Sequence, residues 1–236
     1  MSAGCRASTV RVSELSEPTV DEMWKIFHRY YEAEDKDAFV ASLREKDVAF
    51  LVEDRRTRRL VGFTSALVLS FAGYRVVHSG DTIIERDYWG AGKHLGYQMV
   101  KLLTRLSLSR PRTPLYWFLI SKGYKTYLLM ARNMNEFYPT WRTPTPPWAG
   151  RIIEEVARHR YGTAFRPETG VLTFPYRRKP LLPWVAPITD EDRENPDIAY
   201  FLRANPRWSD GDELVCLGVV NCRQLVRGWL KFTRAV

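Results

Sequence analysis

Thr82-Ile83-Ile84-Glu85-Arg86-Asp87-Tyr88-Trp89-Gly90-Ala91-Gly92 is an apolar strand end running into a turn that bears two glycines. Beyond it, Leu95, Met99, Leu102, Leu103 and Leu106 fall at offsets of 4, 7, 8 and 11, which is one face of a helix. A strand, a glycine turn and a helix start together aim several backbone N–H groups outward at the positive end of a helix dipole, an arrangement that binds phosphate. The spacing is neither Gly-x-x-x-x-Gly-Lys-Ser/Thr nor Gly-x-Gly-x-x-Gly with an acidic residue placed downstream, so the nucleoside triphosphate and dinucleotide motifs both fail. A glycine turn entering a core helix has the same local pattern, and the flanking elements must decide between the two.

Upstream, Val10 to Leu15 reads as a strand, Pro18 to Ala33 as a helix with Met23, Trp24 and Phe27 inward, and Asp37 to Lys46 as a second short helix. Val48 to Glu53 and Leu60 to Phe71 read as strands joined by the charged turn Asp54 to Arg59, and a third runs from about Arg75 to Ile84, entered through Gly73. Downstream, the helix stops at Ser109-Arg110-Pro111, and Leu115 to Ile120 is the continuous apolar run of a strand buried on both faces. Lys122 to Tyr138 reads as a further helix. Pro139, Pro144, Pro146 and Pro147 then make a stiff connector. After it come a helix over Ala149 to Tyr161, a strand over Val171 to Phe174, a second proline-rich crossing over Lys179 to Pro187, and a Thr189-x-x-Asp192 capping box before Ile198 to Ala204. Glu213 to Val220 is a last apolar strand, followed by one more element over Gln224 to Phe232. The expected class is α/β (α+β), with a mostly antiparallel mixed sheet flanked by helices.

Tyr88-Trp89-Gly90-Ala91-Gly92, set between the third strand of an antiparallel run and an amphipathic helix, resembles the pyrophosphate loop of the GNAT acyltransferases, Arg/Gln-x-x-Gly-x-Gly/Ala. The element order from Val10 to Tyr138 resembles that fold as well. The resemblance implies a GNAT-like acyl-CoA-binding core over residues 8–138 and, over 139–236, a connector and C-terminal extension that completes the sheet and the acceptor pocket. It implies acetyl-CoA or another acyl-CoA as co-substrate, no metal, and direct transfer to an amine on a small molecule. The backbone of Trp89, Gly90, Ala91, Gly92, Lys93 and His94 would hold the pyrophosphate, and Thr82, Ile83 and Ile84 would receive the pantetheine arm. Two registers are open. Trp89 can take the Arg/Gln place, with Gly92 and His94 at the two small positions, or Asp87 can take it, with Gly90 and Gly92 there. In the first register His78 falls at the family's base position, with Asp81 and Glu85 as alternatives on or near the same strand. Tyr127, or else Tyr124, would protonate the leaving thiolate. Lys122 and Lys125 would meet the 3′-phosphate of CoA or form a solvated face.

Composition narrows the partners. The 236 residues are 45% hydrophobic and 13% aromatic, which is enough for a packed core and excludes a solvated disordered chain. No stretch approaches the ~18 uncharged apolar residues of a membrane span, and the start of the chain lacks a signal-like apolar run. With three cysteines in no ligand spacing, a cytoplasmic protein without metal or disulfides is expected. The net charge of +9 suits nucleic acid, an anionic membrane or an acidic ligand. Its scatter disfavours nucleic acid. Arg55, Arg56, Arg58 and Arg59 in one turn, and Arg177, Arg178 and Lys179 in another, are left without a role by the loop. They would serve solubility, an acidic acceptor, or an acyl carrier protein presenting the same phosphopantetheine arm. A degenerate member that keeps the fold and binds a ligand or a protein without turnover is the remaining alternative.

Overall fold

A computed structural model of the chain describes residues 4–31, 35–174 and 185–233. They form two compact units, the first comprising residues 4–30, 35–117 and 220–233, the second residues 31, 118–174 and 185–219.

In the first unit, β1 (Cys5–Arg11), β2 (Val48–Asp54), β3 (Leu60–Phe71) and β4 (Tyr74–Ile84) pair antiparallel in chain order. β5 (Leu115–Ser121) begins beside β4 and runs the same way. The Arg75 amide donates to Pro114 O at 2.9 Å and Trp117 Nε1 to Ser79 Oγ at 2.8 Å, so residue numbers rise together along the pair. Helix α1 (Glu17–His28) starts where Ser16 Oγ accepts the Thr19 amide, and α2 (Lys36–Arg44) where Asp35 accepts that of Ala38 at 2.7 Å. Phe39 of α2 seats both helices, its ring 4.9 Å from Phe27 and 6.2 Å from Phe63 of β3. Helix α3 (Gly92–Ser109) buries Leu95, Met99, Leu102 and Leu103, as their spacing requires. Its Gln98 donates to Ala7 O at 2.9 Å and accepts from Thr9 Oγ1 at 3.0 Å, which ties α3 to the edge strand β1. Helix α8 (Cys222–Thr233) closes on α3 through two glycines. A Cβ on Gly96 would overlap the Phe232 ring, and one on Gly228 would lie 2.8 Å from Val100 Cγ2.

The second unit takes β5 from Phe118, then α4 (Tyr124–Asn133), β6 (Phe137–Tyr138), α5 (Pro147–Tyr161), β7 (Phe165–Arg166), β8 (Val171–Leu172), α6 (Asp190–Glu194), α7 (Pro196–Ala204) and β9 (Glu213–Val220). The buried strand β9 pairs antiparallel with β6 through Phe137↔Gly218 and with β8 through Val171↔Leu214. Among the described residues the hydrogen-bonded order is β1-β2-β3-β4 with the start of β5 in the first unit, and β5-β9-β8-β7 with β6 also on β9 in the second, and the pairing is mostly antiparallel.

Two expectations are corrected. The first strand is Cys5–Arg11 rather than Val10 to Leu15, because β2 sets its register from Cys5↔Asp54 to Arg11↔Val48 and Val12–Glu14 turns away as a 3-10 segment. The helix expected to reach Tyr138 ends at Asn133, where Met134 turns extended and Phe137-Tyr138 pairs with β9. Gly218 opposite lacks a side chain, and a Cβ there would meet Met134 Cε at 2.7 Å and Met130 Sδ at 2.8 Å. Helix α8 belongs to the first unit, where it packs on α3. The element after β9 is this helix of 12 residues. The crossing over Lys179 to Pro187 lies largely, and the Arg177-Arg178-Lys179 cluster wholly, outside the described residues.

Candidate functional site

The end of β4 is not a plain strand. Its pairing with β3 runs from Phe71↔Tyr74 to Ser65↔Gly80 and resumes at Phe63↔Ile83, so Asp81 and Thr82 together stand opposite Thr64. This is a β-bulge, which bends a strand and re-aims its side chains. Asp81 takes φ 51°, a left-handed conformation that aspartate adopts more readily than most residues. Hydroxyls clamp the bulge. Thr64 Oγ1 donates to Gly80 O at 3.0 Å and lies 2.7 Å from Thr82 Oγ1, and Ser65 Oγ donates to Asp81 Oδ2 at 3.2 Å. Beyond the bulge Ile83 is buried, Ile84 half-buried, and the Glu85 amide donates to Val61 O at 2.8 Å.

Arg86–Ala91 then forms a 3-10 turn that delivers the chain directly into α3. Ala91, at the N-cap of α3, offers no side-chain acceptor to the first-turn amides. Gly90 faces open space, and a Cβ on Gly92 would touch only Ile84 Cδ1 at 3.5 Å. Trp89, half-exposed, donates from Nε1 to Ile84 O at 3.0 Å and so braces the turn against the strand end. His94 lies buried in the first turn of α3, and burial first, then Lys93 and Arg55, pushes its imidazole below the usual range. Its side chain belongs to the interior and leaves the backbone surface of the turn clear.

A second brace was not foreseen from sequence. Tyr88 donates its hydroxyl to Asp54 Oδ2 at 2.8 Å, while Asp54 Oδ1 accepts the Arg56 and Thr57 amides at 2.8 Å each. The β2–β3 turn is thereby held against the β4–α3 turn, and Arg55, Arg59 and Lys93 share one end of the unit with the start of α3. The Thr57 amide first, then the Tyr88 hydroxyl and the Arg56 amide, lower the Asp54 pKa to about 2. A carboxyl with a folded pKa below its unfolded value of about 3.9 stabilises the fold above that value and loses the contribution as pH falls through the folded pKa. Asp54→Asn is therefore expected to reduce stability at neutral pH and to flatten the acid limb between about pH 4 and about 2. Urea denaturation repeated across that range checks this.

The other candidates are placed less favourably. His78 lies within β4 opposite Leu67, with 3% of its surface exposed. Glu85 is divided between Arg29, with which it forms an ion pair, and the Tyr30 hydroxyl at 3.5 Å, which joins the end of α1 to β4. Burial first, and then Glu85, raises the Tyr30 pKa. Tyr127 is in the core of the second unit, packed on Phe137, Tyr200 and Phe201, with its hydroxyl donated to Pro139 O at 3.1 Å and its pKa raised by burial. That setting makes it a packing residue rather than a proton donor open to a thiolate. Tyr124 donates to Pro187 O at 3.2 Å. Lys122 is 3.2 Å from Glu213 Oε1, and Lys125 donates to Val185 O at 2.7 Å, so both are engaged within their own unit. The strand end, bulge and turn thus bring together Asp81, Thr82, Ile83, Ile84, Glu85 and Trp89 to Lys93, and Tyr127 belongs to the core of the second unit.

No protein family matches the chain in sequence, and no curated protein does. Among solved structures, it is similar to a protein from Enterococcus faecalis described as a probable N-acyltransferase, at 16% identity over 53% of this chain and 31% of that one, TM-score 0.39. The chain thus spans about a third of that relative's length. A GNAT family N-acetyltransferase from Escherichia coli in complex with CoA aligns at 15% identity over 55% and 68% of the two chains, TM-score 0.40. An acetyltransferase from Trypanosoma brucei aligns at 18% identity over 60% and 100%, also with TM-score 0.40. No helix among the described residues is long and apolar enough to cross a membrane.

Proposed function

We propose that the chain is a GNAT-type N-acyltransferase that holds an acyl-CoA, acetyl-CoA by default, at the end of β4 and passes the acyl group to an amine on a small molecule. The observation that carries this reading is the bulged strand entering α3 through a turn with no side-chain cap. The Gly92 amide donates to Trp89 O within the turn, and in this reading the next amides of the first turn, those of Lys93 and His94, receive the diphosphate, at the end of the unit where Arg55, Arg59 and Lys93 add positive charge.

In this reading the amine attacks the thioester carbonyl, a C–N bond forms, the C–S bond breaks, and the departing thiolate takes a proton from water to become the free thiol. Asp81 takes the proton the amine loses. It is the carboxylate the bulge re-aims, it is partly exposed, and Ser65 Oγ fixes one oxygen. Glu85 holds structure through Arg29, and His78 lies beneath the surface of the strand.

Gly90→Trp tests the binding site. With nothing within 4 Å of a Cβ there, the fold should accept the indole, which would cover the amides. Calorimetry is expected to show acetyl-CoA affinity reduced about tenfold or more with an unchanged thermal midpoint. Unchanged affinity would remove the turn from the donor site.

A further inference from the structure

Helices α3 and α8 of the first unit carry charge of one sign. Lys93, Lys101 and Arg105 lie on α3 and Arg223, Arg227 and Lys231 on α8, and neither helix contains an aspartate or a glutamate. The acid-free stretches outrun the helices, extending over residues 88–135 and 214–236 of the sequence. The two helices run antiparallel, Gly96 meeting Phe232 and Val100 meeting Gly228. Along one side of their seam Trp229 Nε1 donates to Thr104 Oγ1 at 2.9 Å, and the indole stands edge-on to Tyr97 with ring centres 5.6 Å apart. Lys101 Nζ lies 5.6 Å from the centre of that same tyrosine ring, so a cation and an indole border one seam.

The outward side of α8 is not simply polar. Val226 and Leu230 stand four residues apart in one row, and Arg223, Arg227 and Lys231 form the adjoining row; all five are exposed. Among the described residues the large apolar side chains left exposed are Trp89, Leu108, Trp141, Val226 and Leu230, and three of these five lie on α3 and α8. Leu108 is 74% exposed, Val226 59% and Leu230 54%. Leu108 is one turn past Thr104, and the antiparallel pairing sets it toward the first turn of α8. Aliphatic side chains held in water among cations suit a surface that is anionic outside and apolar beneath. A second copy of the chain does not meet that description, because α8 against its own image would bring cations to cations. Nucleic acid would match the charge but makes no use of aliphatic side chains, and Trp229 is packed on Tyr97 rather than offered for stacking.

We propose that this face docks on an anionic lipid bilayer, with Leu108, Val226 and Leu230 entering the boundary between headgroups and acyl chains and Lys101, Arg223 and Arg227 among the lipid phosphates. The cations select the sign of the surface and the aliphatic side chains select a bilayer over other polyanions. Docking of this kind is peripheral and needs no spanning helix. Because none of these six residues belongs to the β4–α3 turn, the surface stands or falls separately from the acyl-donor reading.

Sedimentation of the full chain with vesicles of phosphatidylcholine alone, and of phosphatidylcholine mixed with phosphatidylglycerol, tests it. The mixed vesicles are expected to bind at least about tenfold more tightly than the neutral ones, an advantage that shrinks as salt is raised. Lys101→Glu combined with Arg223→Glu should weaken binding to mixed vesicles about tenfold or more, since each cation near such a surface is worth about fivefold. Val226→Ser combined with Leu230→Ser should weaken it about tenfold through lost apolar burial, with the salt dependence kept. All four positions are exposed, so both double variants should keep the thermal midpoint. Gly90→Trp should bind vesicles as the wild type does. Equal binding to neutral vesicles, no binding to either kind, or indifference to either double variant would overturn the proposal. Binding to polyglutamate or to a single-stranded oligonucleotide but not to vesicles would overturn it in favour of an acidic protein or a nucleic acid.

Discussion

Gly62→Val is expected to lower stability by about 3 kcal/mol, and Gly62→Ala by about half as much. Gly62 sits in β3 opposite Ile84, and a Cβ there would lie 2.8 Å from Ile83 O, 3.0 Å from Ile84 Cγ1 and 3.1 Å from Ile84 Cα. Two of those atoms are backbone, so relief requires moving β4 rather than turning a side chain. A loss of this size is a large part of the roughly 5–15 kcal/mol that holds an ordinary domain folded. The displaced strand is also the one that enters the turn, so acetyl-CoA affinity should fall with stability. Urea denaturation of both variants is the check, with Gly90→Ala, whose Cβ meets nothing, as the neutral comparison. Wild-type stability in Gly62→Val would mean that β3 and β4 do not approach as described.

Asp81 is expected to separate activity from stability in the opposite sense. At φ 51° a side-chain-bearing residue is strained, and glycine is not. Asp81→Gly should therefore be as stable as the wild type or slightly more so, while transfer slows about 10²–10⁴-fold for want of the base. Asp81→Asn should slow transfer similarly without relieving the backbone. In both variants acetyl-CoA affinity should stay within about twofold, because the carboxylate meets the amine and not the diphosphate. Thermal unfolding, steady-state kinetics and calorimetry on the same preparations decide this. Full activity in either variant would exclude Asp81 as the base and return attention to His78.

Much of the fold was legible because its pattern is local. Leu60–Phe71 and Glu213–Val220 are apolar runs bounded by Arg-rich, glycine or polar turns, and both strands begin and end where those boundaries put them. The strand over Cys5–Arg11 was misplaced because Cys5, Arg6, Ala7 and Ser8 carry little β preference. They are strand because β2 pairs with them and Gln98, about ninety residues away, satisfies their edge.

The same division runs through the site. The two glycines and the helix after them are local, so the turn could be found. The bulge depends on how Asp81 and Thr82 meet Thr64 across the sheet, and the brace on Tyr88 comes from Asp54, 34 residues earlier. Tyr127 has the spacing of any amphipathic helix residue, and only Tyr200 and Phe201, more than seventy positions later, make it core. Arg55 and Arg59 gain a role by the same route, since the β2–β3 turn lies beside α3 only once the register is known.

The central claim, that the Lys93 and His94 amides in the first turn of α3 receive the diphosphate of the donor, is tested most directly by following the backbone amide resonances of the protein while CoA is added. The expected result is saturable shifts concentrated at Gly92, Lys93, His94 and Leu95, and their loss in Gly90→Trp. Saturable shifts elsewhere with none at these four, or no shift at all with CoA or any of its thioesters, would contradict it.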